Sequence, residues 1–129
     1  LKNVGFFGLQ PLETIPYFLK ASDVLVESLK EVPVTKGTFP CKLFEYMASG
    51  KPIIFGSADG EAVRELEKAG GALSFATDDP NRLSELILDL RHGRIDGDHL
   101  GRRYHEHARQ NHCREQWAEK YLTFLGSIH

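Results

Sequence analysis

Apolar residues recur along this chain in two rhythms. Short continuous runs at 4–7, 24–26, 52–55 and 72–75, each closed by a turn residue or a polar stretch, have the length and β-branched content of buried strands. Between them the spacing changes to helical. One helix is predicted from about Ile15 to Ala21, with Tyr17, Phe18 and Leu19 as its apolar surface. A second, of about three turns, lies between Pro40 and Gly50, with Leu43, Phe44, Met47 and Ala48 as its buried stripe. A third runs through Ala69 and ends at Gly70-Gly71. Asp78-Asp79-Pro80 caps a fourth over 81–91, whose core face is Leu83, Leu86, Ile87 and Leu90. From Asp96 onward the chain reads as helical, its face built from Leu100, Tyr104 and Ala108, then Trp117, Tyr121, Leu122 and Leu125.

Strands alternating with helices imply an α/β fold: a Rossmann-like parallel sheet with helices on both faces, right-handed crossovers and a helical C-terminal tail. In such sheets ligands bind outside the carboxyl ends of the strands. Two segments sit there. One is the polar loop 30–38, expected to be mobile, in which Lys30 and Lys36 read as solvated lysines. The other is the turn 57–61.

The helix after Pro40 carries the candidate chemistry. Pro40 suits a first turn, and Gly50 and Pro52 close the segment. Lys42 falls in the first turn, where the helix dipole disfavours a cation, whereas a shared anion would reverse that penalty. Glu45 follows one turn later, about 5 Å along the axis, and can accept two hydrogen bonds from a vicinal diol such as a ribose. A cation beside free amides, with a carboxylate behind it, suits a nucleoside diphosphate. A solvated Lys–Glu pair is the alternative reading of the same two residues.

Composition narrows the field. With 129 residues, 41% hydrophobic and 26% charged, the chain makes one globular domain, and a net charge of −2 gives no footprint for nucleic acid. No apolar run reaches the roughly 20 residues a membrane helix needs. Cys41 and Cys113 lack metal spacing and read as reduced thiols of a cytoplasmic protein. His105 and His107 lie two apart on divergent sides of a helix; with His99, His112 and His129 they read as solvated, so no metal site is expected. Hydrolase elbow and P-loop motifs are absent, and V-G-F-F-G has too few glycines for a dinucleotide fingerprint.

The stretch P-x-K-x-x-E-Y-M-A-S-G-K-P resembles the donor-binding motif of family 4 retaining glycosyltransferases of the GT-B fold, in the branch that builds bacterial surface polysaccharides. V-G-F-F-G, A-S-D-V-L-V, G-K-P-I-I-F, G-E-A-V-R-E-L and D-D-P-N-R-L-S-E-L-I extend the similarity in the expected order. The resemblance implies that Glu45 binds the donor ribose and that Pro40, Cys41 and Lys42 form the helix start facing the diphosphate. It places Phe39 and Gly8 in the same donor-nucleotide set. The family's E-x7-E pair would put its first glutamate at position 37, where Gly37 stands. That glutamate is associated with the transferred sugar, so the nucleotide contact is retained and Lys42 is left to compensate at the pyrophosphate.

The expected function is binding of a nucleotide-diphosphate sugar, UDP favoured, for transfer to a glycan or lipid-linked acceptor without cofactor or metal. The opening L-K-N-V-G-F-F-G lacks an initiator Met and runs straight into a strand-like segment, as in an excised C-terminal half. An N-terminal acceptor domain is then the missing partner, part of 96–129 packs on it, and the isolated piece is inactive. In the resembling branch the cytoplasmic enzyme associates peripherally with the inner membrane face. A GT-B sugar-nucleotide epimerase half and a flavodoxin-like or receiver-like binding module are the alternatives; Asp23 precedes its strand, which disfavours a receiver.

Overall fold

The computed structural model describes residues 2–30, 32–57 and 59–128. Glu31 of the 30–38 loop, Ala58 of the second turn and His129 of the histidine set lie outside the described residues. In chain order the elements are α1 (Ile15–Ala21), β1 (Leu25–Ser28), α2 (Cys41–Ser49), β2 (Ile53–Gly56), α3 (Glu61–Lys68), β3 (Leu73–Phe75), α4 (Pro80–Arg91), α5 (Gly97–Asn111) and α6 (Arg114–Gly126). The strands form one parallel sheet in the order β1-β2-β3, with Leu25 opposite Ile53 and Ile54 opposite Leu73.

The central strand β2 is buried along its whole length because both faces are covered. Alternation sends Ile53 and Phe55 to one face, where they join Leu43 and Met47 of α2, Leu66 of α3 and Tyr104 of α5. Ile54 points to the other face and meets Phe75 and Leu86 of α4. Each of these large side chains stabilises the fold by roughly 1.5–3 kcal/mol through burial.

Three expectations are corrected. The run 4–7 forms no strand: Phe6 is 95% and Phe7 70% exposed, and Phe7 packs only its ring edge on Phe18, at 5.2 Å. β1 is therefore an edge strand, with Leu25 buried but Val26 left 42% exposed. On α2 the stripe is narrower than the pattern suggested. Leu43 and Met47 are buried, whereas Phe44 and Ala48 face outward because the sheet meets only the side of the helix that also carries Tyr46. Likewise Ile87 of α4 stays 39% exposed while Leu86 takes the core position. The loop after β1 contains local structure. Residues Pro33–Gly37 form a 3-10 turn tied by Thr35, whose Oγ1 donates to the Lys30 or Val32 carbonyl (2.8 and 2.7 Å) and accepts from Val32 N–H.

The caps follow the sequence. Asp79 accepts from Arg82 N–H at 2.9 Å to open α4, and Asp96 accepts from His99 N–H at 2.8 Å to open α5. Gly50 ends α2 in the left-handed region, φ 72°. The first half of the tail belongs to the core. α5 buries Leu100, Tyr104 and Ala108, and Tyr104 Oη donates to the Gly71 carbonyl at 2.6 Å. At Gly101 it approaches so closely that a Cβ there would lie 2.1 Å from the Gly50 carbonyl oxygen. α6 differs: Trp117, Tyr121, Leu122 and Leu125 are 41–66% exposed. None of the described helices is long and apolar enough to cross a membrane.

Candidate functional site

The α2 N-terminus is built without a cap of its own. Pro40 is the N-cap itself, one position before the first turn where it was expected; its φ of −66° and ψ of 129° are extended, and it has no side-chain acceptor to offer. No acidic residue lies in the first turn. Leu43 N–H bonds the Pro40 carbonyl at 2.9 Å, which leaves the Cys41 and Lys42 amides without a protein acceptor among the described residues. α4 and α5 each have a capping aspartate at this position; α2, like α1, α3 and α6, has no side-chain cap, and its free amides can donate to an anion.

Lys42 and Glu45 are exposed side chains on this helix, and neither joins an ion pair among the described residues. Their exposure is what the solvated reading expects, although the two do not form an ion pair with each other. Phe39 is half-buried, its ring 4.5 Å from Phe44, so the segment before the helix is anchored to the core. Cys41 is exposed, and both cysteines are free thiols. Gly8 lies in the exposed N-terminal segment with φ 66° and open space where a Cβ would project. Gly37, where the family's first glutamate would fall, is likewise in open space, so packing does not require glycine there.

Glu45 lines two grooves, one on each side of α2. The first, about 660 Å³, runs against α1 and includes Leu12, Ile15, Leu19 and Lys51. The second, about 420 Å³, lies against the α5–α6 elbow and brings His105, Arg109 and Arg114 beside Phe44 and Glu45. These basic residues are 60 or more positions away in sequence, and no spacing rule could place them. A larger groove of about 730 Å³ lies beside Asp23, Arg91, Asp96 and Asp98. It is near the amino end of β1, the wrong end for ligand binding in an open parallel sheet. Next to Glu45, the Tyr46 phenol is held above its usual pKa, chiefly by burial and then by the Glu27 and Glu45 carboxylates, so it stays a neutral donor at the sheet-facing edge of α2.

The histidines depart most from expectation. His105 Nδ1 lies 2.7 Å from the Ala48 carbonyl, a last-turn acceptor of α2. His107 and His112 are not solvated. Their Nε2 atoms lie 2.7 and 2.8 Å from the same oxygen, Glu65 Oε1, and the three side chains are only 12–18% exposed. His112 follows the last residue of α5, where φ −124° and ψ 17° leave the helical path and swing its ring back toward His107. Glu65 arrives from α3, 42 residues earlier than His107. Burial would raise the Glu65 pKa, but hydrogen bonds from His107, Lys68 and His112 outweigh it and hold it at about 2.

The sequence model described as Glycosyl transferases group 1 matches residues 1–92. A Bacillus subtilis (strain 168) protein named as a teichuronic acid biosynthesis glycosyltransferase, TuaH, is 33% identical over 54 residues. That match covers 42% of this chain and about a seventh (14%) of the relative. No solved structure matches the chain significantly.

Proposed function

The chain belongs to the group 1 glycosyl transferases, and we propose that it is the donor-binding domain of a retaining, family 4 enzyme of the GT-B fold. On this reading it holds a nucleotide-diphosphate sugar, UDP favoured, for hexosyl transfer to a glycan or lipid-linked acceptor. The observation that carries the proposal is the uncapped start of α2, with Lys42 in its first turn and an unpaired Glu45 one turn on. The Cys41 and Lys42 amides and the Lys42 ammonium receive the diphosphate, Glu45 accepts from the ribose hydroxyls, and Pro40 and Phe39 fix the approach. Gly8 completes the set as an open, left-handed turn beside the nucleotide.

The chemistry needs no covalent help from these residues. Breaking the bond from the anomeric carbon to the diphosphate builds negative charge on the leaving oxygen. Preorganised amides, the helix dipole and a lysine stabilise that charge as an oxyanion hole would, without a bound metal. The name of the relative fits a surface-polymer acceptor. Acceptor contacts and further basic residues at the phosphates come from outside these 129 residues, so the isolated chain binds nucleotide weakly and transfers no sugar. Peripheral attachment to the cytoplasmic membrane face belongs to the same reading.

Calorimetric titration with UDP, GDP, ADP and pyrophosphate tests it. UDP binding is expected at high micromolar to millimolar strength, about 4–6 kcal/mol. Lys42→Ala should weaken every phosphate ligand, and Glu45→Gln should abolish the preference for UDP over pyrophosphate. Binding indifferent to both substitutions would place the nucleotide elsewhere and sink the proposal. Measurable sugar transfer by the isolated chain would sink its claim of inactivity.

A further inference from the structure

We propose that Glu65, His107 and His112 bind a divalent first-row transition metal, zinc foremost, which staples α3 to the α5–α6 elbow. The inference is independent of the nucleotide reading.

The donor set comes first. Two imidazoles and one carboxylate are borderline ligands that suit zinc, cobalt, nickel or copper, and they are a poor match to magnesium or calcium, which favour oxygen alone. The geometry is already close. All three ligand atoms lie within 4.8 Å of one another, with both Nε2 atoms converging on Glu65 Oε1 at 2.7 and 2.8 Å. Metal bonds of about 2.0–2.1 Å at tetrahedral angles separate ligand atoms by about 3.3 Å. The two Nε2–Oε1 separations would therefore open by about half an ångström to admit an ion, while the two Nε2 atoms lie within 4.8 Å of each other. Both rings would bind through Nε2 as neutral imidazoles, with the remaining ring proton on Nδ1.

The surroundings hold each ligand in place. Lys68 Nζ lies 3.2 Å from Glu65 Oε2, which engages the second carboxylate oxygen and leaves Oε1 for the ion. The Asn111 side-chain amide lies 3.3 Å from His107 Nδ1 and donates to the His107 carbonyl at 3.0 Å, bracing the ring against the last turn of α5. The His112 ring is set by its edge contact with Phe44, centroids 4.8 Å apart. Exposure of 16% and 18% at the two histidines leaves the cluster secluded but not sealed from solvent. Nothing else among the described residues groups three such donors.

The test is titration of the intact protein with Co(II) near neutral pH, followed by visible d–d absorption, then displacement by Zn(II). One equivalent is expected to saturate the signal. His107→Gln and His112→Gln should each weaken binding by at least the roughly 10–100-fold that loss of an outer-shell partner costs, and His99→Gln should not change it. Should the variants fail to fold, long-range ¹⁵N NMR of the wild type decides: Zn(II) must shift the Nε2 resonances of two histidines together. Absence of saturable Co(II) absorption would overturn the proposal, leaving Glu65 as a metal-free clasp. So would Zn(II) affinity unaltered in His112→Gln, or ring shifts confined to His99 or His105.

Discussion

Replacing Gly101 by alanine should destabilise the protein, although the same exchange in an isolated helix stabilises it. Gly101 sits inside α5, where glycine costs about 1 kcal/mol relative to alanine. Its missing side chain is what lets α5 lie against the end of α2. A Cβ at that position would be 2.1 Å from the Gly50 carbonyl oxygen and 2.8 Å from the Gly50 carbonyl carbon. Ordinary C···O separations are about 3.3–3.6 Å, so the two backbones must part by more than an ångström. The obstruction is main chain, and it is held in the left-handed conformation that terminates α2.

Overpacking of this kind costs about 1–3 kcal/mol. Because no flexible side chain can yield, the upper end applies, and subtracting the propensity gain leaves a loss of about 2 kcal/mol. The Tyr104–Gly71 and His105–Ala48 hydrogen bonds, on the two residues after the next turn begins, would lengthen with the shift. Urea unfolding followed by circular dichroism reads the effect; with a slope near 2 kcal/mol/M the midpoint falls by about 1 M. Gly126→Ala is the control. Gly126 is also helical, the last residue of α6, but meets nothing within 4 Å, so alanine there should leave the midpoint unchanged or raise it slightly. A Gly101→Ala midpoint equal to or above wild type, at unchanged slope, would refute the close approach of α5 to α2.

Asp79→Ala removes the acceptor for Arg82 N–H and should lower stability by about 1 kcal/mol. Asp96→Ala should do the same at α5, and the double substitution should be nearly additive in urea midpoints because the two caps share no partner. Tyr104→Phe should cost about 1 kcal/mol at neutral pH through the lost bond to Gly71. Burial raises the folded-state pKa of the Tyr104 phenol well above its usual value of 10.0. Its contribution is therefore complete below pH 10 and declines as pH rises toward the folded pKa. Wild type and Tyr104→Phe should accordingly converge in urea midpoint above pH 10, and a gap that widens there would contradict the burial of this hydroxyl.

Local pattern determined a good deal of this protein. The alternation of short apolar runs with helical spacing yields the parallel α/β architecture, and Asp79, Pro80, Gly50 and Gly70 set helix ends by chemistry confined to a few neighbouring residues. The motif around Lys42 and Glu45 was legible for the same reason: both residues stand on one short helix, so their spacing alone fixes their relation. Tertiary structure decided what depends on a partner from elsewhere in the chain. Phe44 and Ala48 have the right periodicity for a core but lie on the side of α2 turned away from the sheet, while the run 4–7 has strand-like residues and does not pair with the sheet. His107 and His112 read from sequence as solvated. They converge because α5 ends between them and α3 brings Glu65 to meet them, an arrangement set by packing over more than 40 residues.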